Sequence, residues 1–550
     1  MATYFVSTSA TNGFTAGNDG NTGVHKTSPF LTLLHAIDVA KNGDTIHLND
    51  GSWQYSTLNK HLQKALIIQG ENDYKSTIAP DGSYLNFGIA IGSGLTLELR
   101  RINAVINIVS GGGTIKLVGT KLQGQMRLIS GIAVIDATDV LGSAQLDIRV
   151  GGIKIRNMRG ALGGSLQNTQ IDIAESEISI LRDYLSLLNN VRGSIGRTKW
   201  SISDRRSGLY FNGGTTGEIE VCKNTFVGSA NAGQVGGPGS LEGTAIRVAG
   251  RKSKLLLAEN EVAGCGRGIY VVDSEKITTR RNLLAGNIYG DLTIKGECDV
   301  LSVNDTFLHR VRHGDRHPGS GSLMIDDASV APGGKVRIVN PAFLAGDMTG
   351  PLVMASGTGY TIEHGGYPAD RLMPAAPFIV AGETKNFAAW KAQHDTNAVQ
   401  EVASLPPYQD GRLWAGSAFL RTGIAVSGET EGADQDIWGN VWDVPPSIGA
   451  YQGAGVPVSS GGSSGLPGLF GDPTSVRHYS VLLPVGGRAV VPLGVAVPRN
   501  RAVVFAQGSN PIHNMPVSAF LLGTGETADT AAVAMSGGDN KIVHFAVAVF

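Results

Sequence analysis

The chain predicts an all-β protein wound as a parallel solenoid, and three observations carry that prediction. The first is a repeat: GEIEVCKNTF (217–226), KLLLAENEV (254–262), KITTRRNLL (276–284) and DVLSVNDTF (299–307) align without gaps. Asn224, Asn260, Asn282 and Asp305 fall in one slot of that alignment, 36, 22 and 23 residues apart. The second is a parallel column, GLYF (208–211), TAIRV (244–248), GIYVV (268–272) and DLTI (291–294), whose apolar residues lie two apart. Short period-2 strands recurring about every 20-odd residues mark stacked coils, each of which needs a neighbour to bury its inner face. The third is what the spaces between strands lack. Helical patterns of about 10–15 residues, as a doubly wound α/β sheet requires, do not occur there. The Asn/Asp slot fits a turn whose side-chain amides hydrogen-bond from coil to coil.

Composition agrees. The 76 glycines and 6% aromatic residues suit turn-rich coils filled with aliphatic stacks. A length of 550 residues exceeds one ordinary globular core but is no obstacle to a solenoid. The net charge of −1 argues against a nucleic-acid partner held through phosphates and against a polybasic membrane surface. MATYFVSTSATNG shows no basic region followed by an apolar run, so neither a Sec signal nor a membrane span is expected, and folding in a cytosol is. Cys222, Cys265 and Cys298 lack zinc-site spacing and read as reduced, structural thiols; no metal and no cofactor is expected.

In chain order, residues 1–50 read as an amino-terminal cap of the solenoid. YFVS (4–7) is a strand, and Ser28-Pro29 opens a helix with Phe30, Leu33, Leu34, Ile37 and Ala40 on one face, stopped at Asn42-Gly43. Such a helix covers the open end of the first coil. Residues 51–345 read as the solenoid proper. Its coils between 95 and 180 are lean, with apolar starts at Leu95, Ile115, Ile132, Ile153 and Ile171. Later coils carry insertions, RTKWSISDRRSG (197–208), GSANAGQVGGPGSLEG (228–243) and HRVRHGDRHPGSG (309–321), which in solenoids collect on the binding face. Residues 346–454 read as an irregular closure and 455–474 as a Gly/Ser/Pro linker. Residues 475–550 read as a small β-sandwich or barrel, suited to attachment or oligomerisation.

The opening resembles the amino-terminal cap of the pectate-lyase-like right-handed β-helix proteins. The matching residues are Tyr4–Ser7, Asn18-Asp19-Gly20, Pro29-Phe30, Ala36-Ile37 and Gly43-Asp44-Thr45-Ile46. The closure resembles that of bacterial and phage β-helix proteins of the tailspike type, through Trp390, Asp395, Pro407-Tyr408, Gly439-Asn440 and Ile448–Tyr451. There a helix with tryptophan and a terminal IGAY strand seal the last coil. The resemblance implies a right-handed parallel β-helix and, for tailspikes, a homotrimer in a virion made in the host cytoplasm. It is specific for fold and not for activity, since the family holds lyases, hydrolases, epimerases and inert fibres.

No nucleophile, phosphate-loop or zinc motif is present, so candidate chemistry comes from residues several coils apart. Between the apolar pairs of the second column lie Tyr210, Arg247, Tyr270 and Thr293, facing outward. Aromatic faces and arginine suit a polysaccharide, although tyrosine also favours any exposed strand. Asp204, Glu242 and Asp291 precede the same strands and are candidate catalytic acids, because glycoside hydrolysis needs two carboxylates about 5–9.5 Å apart. His309, Arg312 and His313 in the basic loop are candidates for holding an anionic sugar or abstracting a proton. The expected function is that of a tailspike-like protein that binds a bacterial surface polysaccharide, with hydrolase and lyase chemistry both open. Its other partners would be virion proteins met through the carboxy-terminal domain. The alternatives are a non-catalytic fibre or decoration protein and a bacterial polysaccharide lyase.

Overall fold

Successive coils pair strand upon strand in parallel, and three sheets result. The computed structural model describes the chain except residues 56–58, 81–87, 124, 149, 181–184, 203–206, 214–216, 229–242, 310–319, 329–334, 346–349, 358, 402–410, 430–434, 443, 457–474, 483–487, 499–501, 509–516, 523–526, 536–541 and 550. The first sheet runs from Thr3–Val6 through Asp44–Leu48 and Leu66–Gly70 to Tyr360–Glu363. The second runs from Gly51–Tyr55 to Gly366–Tyr367 and Val399–Gln400. The third runs from Asn59–Leu62 to Phe378–Val380, where the antiparallel strand Glu383–Lys385 ends it. The chain folds as a parallel β-helix.

The interior is a set of like-on-like stacks. In the first sheet Ile46, Ile68, Leu99, Leu117, Ile135, Ile155, Ile173 and Ile195 follow one another in register, all at most 1% exposed. In the second, Trp200 lies on Phe226, and Phe307, Phe343 and Tyr367 stack with centroids 4.9 and 5.2 Å apart. Among the lean coils the inward slot of the first sheet is Leu97, Ile115, Ala133, Ile153 and Ile171. This corrects the expected starts at Leu95 and Ile132. Ile132 is 46% exposed, because the chain crosses from third to first sheet there through stacked glycines. A Cβ on Gly131 would meet the Gly113 carbonyl oxygen at 2.1 Å, and one on Gly151 the Gly131 oxygen at 1.7 Å. On the outward face of the second sheet Lys121, Asp139, Arg159, Glu177 and Lys199 alternate in charge from coil to coil, which penalises a slipped register.

The corner between first and second sheets is two residues long in coil after coil. Its first residue is left-handed (Ala137, Glu175, Lys223, Glu259 and Arg281 have φ of 46–60°), and its second points inward. In the lean coils that second residue is Thr120, Thr138 or Ser176, whose hydroxyl bonds a main-chain carbonyl, and in one coil the buried Met158. In the wider coils it is Asn224, Asn260, Asn282 and then Asp305. Each Nδ2 donates to the next side chain, at 3.0, 3.0 and 2.9 Å. All four are at most 1% exposed.

Both ends differ in detail from expectation. Helix α1 spans Leu33–Val39 with Thr32 as its N-cap, rather than starting at Ser28. The main chain of Phe30 is already used in β-type pairing with Phe5 and Ser7, so the helix begins only beyond it. At the far end α2 (Phe387–Gln393) puts Trp390 on Phe378, centroids 4.6 Å apart, with its indole N–H donating to Tyr367. Asp395 accepts the main-chain N–H groups of His364 and Gly365. Residues 448–451, by contrast, are not a strand and do not seal the last coil. The closing segment runs back along the solenoid: Leu413, Phe419, Ile448 and Tyr451 pack on Leu283, Leu308 and Leu344 of the second sheet. Asn304 donates to the Ser447 and Gly449 carbonyls, and Arg281, under Trp442, is ion-paired with Glu259.

Residues 458–550 belong to a separate compact unit. Among its described residues, six strands form two three-stranded antiparallel sheets. One holds Ser475–Leu482, Ala502–Gly508 and Ile542–Val549; the other holds Arg488–Pro498, Val517–Leu522 and Thr527–Met535.

Candidate functional site

The outward face of the third sheet carries the candidate column. Tyr210 pairs in register with Arg247, Arg247 with Tyr270, Tyr270 with Thr293, and the line continues through Met324 and Met354. Their inward neighbours Leu209/Phe211, Ile246/Val248, Ile269/Val271 and Leu292/Ile294 are all fully buried. Period-2 alternation therefore forces Tyr210, Arg247 and Tyr270 outward. These three side chains are half-buried, and Thr293 is 3% exposed.

The Arg247 guanidinium lies over the Tyr210 ring, 4.4 Å from its centroid. Its Nε–H has no hydrogen-bond partner among the described residues. A second guanidinium, that of Arg267, lies 5.3 Å from the Tyr270 centroid and 5.7 Å from that of Tyr289, and donates to the Tyr289 carbonyl oxygen. Burial draws the Arg267 guanidinium below its ordinary pKa, opposed by the charge interaction with Tyr270 and Tyr289. Arg267 and Tyr289 were not singled out in the sequence. Tyr289 stands in the turn before the strand Leu292–Lys295, and Arg267 is the first residue of the strand Arg267–Val272, where alternation alone would group it with the inward Ile269 and Val271.

The candidate acids separate. Asp291 is fully buried, and its Oδ1 accepts the main-chain and side-chain N–H groups of Asn287 at 3.1 and 2.8 Å. Asn287 in turn donates to the Val262 carbonyl, making a second corner ladder inside the coil. This corrects the expectation of Asp291 as a groove acid: the carboxylate is enclosed and tied into the turn. Asp204, Glu242, Arg312 and His313 lie outside the described residues. His309 ends the strand Thr306–His309, paired with Ala345.

Topology says where the insertions enter. Residues 203–206, 229–242 and 310–319 each join a second-sheet strand to the next third-sheet strand, so each leads directly into the column's sheet. The corresponding first-to-second corners stay two residues long, and the closing segment packs on the second sheet at Leu283, Leu308 and Leu344. The arrangement on the third sheet is two tyrosine rings two coils apart, with Arg247 over the first and Arg267 beside the second.

These features define a parallel β-helix protein with an aromatic and cationic outer face. No protein-family model matches the chain, and no curated protein matches it. Among solved structures, pectate lyase Pel9A is similar at 12% identity and a TM-score of 0.26, covering 82% of this chain and 96% of that one. The Dettilon tailspike protein gp208 is similar at 10% identity and 0.26, covering 100% and 94%. The tailspike gp49 of Acinetobacter baumannii bacteriophage Fri1, a capsular polysaccharide depolymerase, is similar at 10% identity and 0.20, covering 92% and 79%.

Proposed function

We propose that the chain is a tailspike-like protein that binds a bacterial surface polysaccharide along the outward face of its third sheet. The observation that carries the reading is the in-register line Tyr210, Arg247, Tyr270, with a guanidinium over one ring. Coils stack at about 4.8 Å, so the two tyrosines stand about 10 Å apart along the axis. Rings so placed stack on the apolar faces of alternate sugars, while the arginine takes the polar edge of the sugar between them. Asp204 and Glu242, in segments leading into this face, are the acids proposed for cleavage. Homotrimer formation and attachment to a virion through residues 475–550 complete the proposal.

The test is binding of capsular and lipopolysaccharide preparations to Tyr210→Ala and Tyr270→Ala, with circular dichroism as the check on folding. Each ring contributes roughly 1 kcal/mol beyond burial, so affinity should fall several-fold with the spectrum unchanged. Normal binding by both variants would place the groove elsewhere. Reducing ends and unsaturated-product absorbance, measured for Asp204→Asn and Glu242→Gln, separate hydrolase, lyase and purely binding roles.

A further inference from the structure

The Arg247 side chain has an environment that an exposed strand arginine does not need. It is half-buried, lies 4.4 Å from the Tyr210 centroid and carries a buried Nε–H without a partner. No carboxylate among the described residues pairs with it, whereas Arg100, Arg156, Arg197, Arg280, Arg281 and Arg337 all stand beside one. A partly desolvated cation without a counter-charge carries an electrostatic cost, which an incoming anion relieves. A guanidinium held over a ring keeps its in-plane N–H groups for acceptors, and a carboxylate matches two of them at once.

We propose that Arg247 selects an acidic polysaccharide, reading a sugar-borne carboxylate between the Tyr210 and Tyr270 rings; this rests on the saccharide-binding reading above. Register supports the placement. Tyr210, Arg247 and Tyr270 occupy three consecutive coils, so a glycan lying along the solenoid axis meets ring, cation and ring in turn. The coil spacing of about 4.8 Å is comparable to the length of one sugar residue. The acidic sugar is then the middle one of three. Beyond Tyr270 the column continues with the buried Thr293 and then Met324 and Met354, with no second cation in the line. Within that line Arg247 is the one cation; Arg267 stands beside the Tyr270 ring from the same strand, three residues earlier.

The experiment uses the full chain and a panel of purified bacterial capsular polysaccharides. Each is tested in its native carboxylate form and after chemical reduction of the carboxyl groups to primary alcohols. Wild type should bind at least one carboxylate form roughly tenfold or more tighter than its reduced counterpart, because reduction replaces a charge-assisted hydrogen bond with a neutral one. Arg247→Gln should erase that preference while still binding the reduced form, and Arg247→Lys should keep part of it. Tyr270→Ala should weaken both forms equally. Equal binding of native and reduced forms by wild type would overturn the acidic-sugar assignment and leave the saccharide reading standing. A preference that survives in Arg247→Gln would likewise overturn it. If wild type binds no member of the panel in either form, both readings fall.

Discussion

Replacing Asn282 with leucine should be among the most damaging single changes in this fold. The side chain is fully buried, and its amide makes four hydrogen bonds. Oδ1 accepts the Asn260 main-chain N–H and the Asn260 Nδ2–H, both at 3.0 Å. Nδ2 donates to the Leu257 carbonyl and to Asp305 Oδ1, both at 2.9 Å. Leucine has the same branched four-heavy-atom outline but is bulkier, so the change removes hydrogen bonds without opening a cavity and adds some crowding. The Asn260 main-chain N–H loses its acceptor, at a cost of about 1–3 kcal/mol for a buried orphan. The other three groups each lose one bond, though Asn260 Nδ2 keeps Val221 O and Asp305 Oδ1 keeps the Asn282 N–H. Together the loss should be about 3–5 kcal/mol. Thr278→Val, a half-exposed change in the same coil, is the control and should stay within about 0.5 kcal/mol. Guanidinium unfolding followed by circular dichroism gives the equilibrium shift, and unfolding rates cover irreversible behaviour. A loss below about 1 kcal/mol for Asn282→Leu would refute the ladder as a source of stability.

Three further predictions test other parts of the molecule. Gly131→Ala should destabilise by more than about 1 kcal/mol, because the residue has φ 108° and a Cβ there meets a main-chain oxygen; a normal melting temperature would show that the corner yields. Burial raises the Asp305 carboxyl above the ordinary aspartate value, against hydrogen bonds from Thr279, Ser302 and Asn282. The native state therefore holds that proton more tightly than the unfolded chain. Its contribution is greatest in acid and declines as pH rises from the ordinary aspartate pKa through the raised one. Asp305→Asn should flatten that part of the stability profile, and an unchanged slope would count against the buried acid. Burial pushes the Cys222 thiol up to about 11 and raises that of Cys298, so both should resist alkylation at pH 8 until the protein unfolds. Rapid labelling of the native protein would contradict the raised thiol values.

The parts legible in the sequence are those fixed by local alternation. Leu209/Phe211 and their partners in later coils announce both the strand and the outward place of Tyr210, Arg247 and Tyr270. The Asn224–Asp305 slot announces the turn and its coil-to-coil bonding. What alternation does not encode is where a corner turns. Ile132 looks like a core residue beside Ala133, and only the close glycine stack puts alanine inside and isoleucine outside. Asp291 looks like an acid at the mouth of a strand, yet its neighbour Asn287 draws it inward. Tyr289 joins the candidate face from a turn, where no period applies, and Arg267 from the first residue of its strand, at a position alternation would turn inward. The IGAY segment has strand composition, but the apolar row Leu283, Leu308 and Leu344, contributed by three separate coils, takes it as a lateral strap.

The two-residue corner between first and second sheets has a consequence for how such a chain can change over generations. Its length is held by the left-handed residue and the inward side chain, so an insertion there would break the ladder in both directions. The passage from second to third sheet has no such constraint, as the 14 residues of 229–242 against the three of 264–266 attest. Sequence drift in length is thereby channelled to one side of the molecule, the side that carries Tyr210, Arg247 and Tyr270. Whole coils can also be exchanged between equivalent ladder positions, such as Asn260 and Asn282, without disturbing the pitch of the remainder. A lineage can revise what this surface meets while inheriting its frame unaltered.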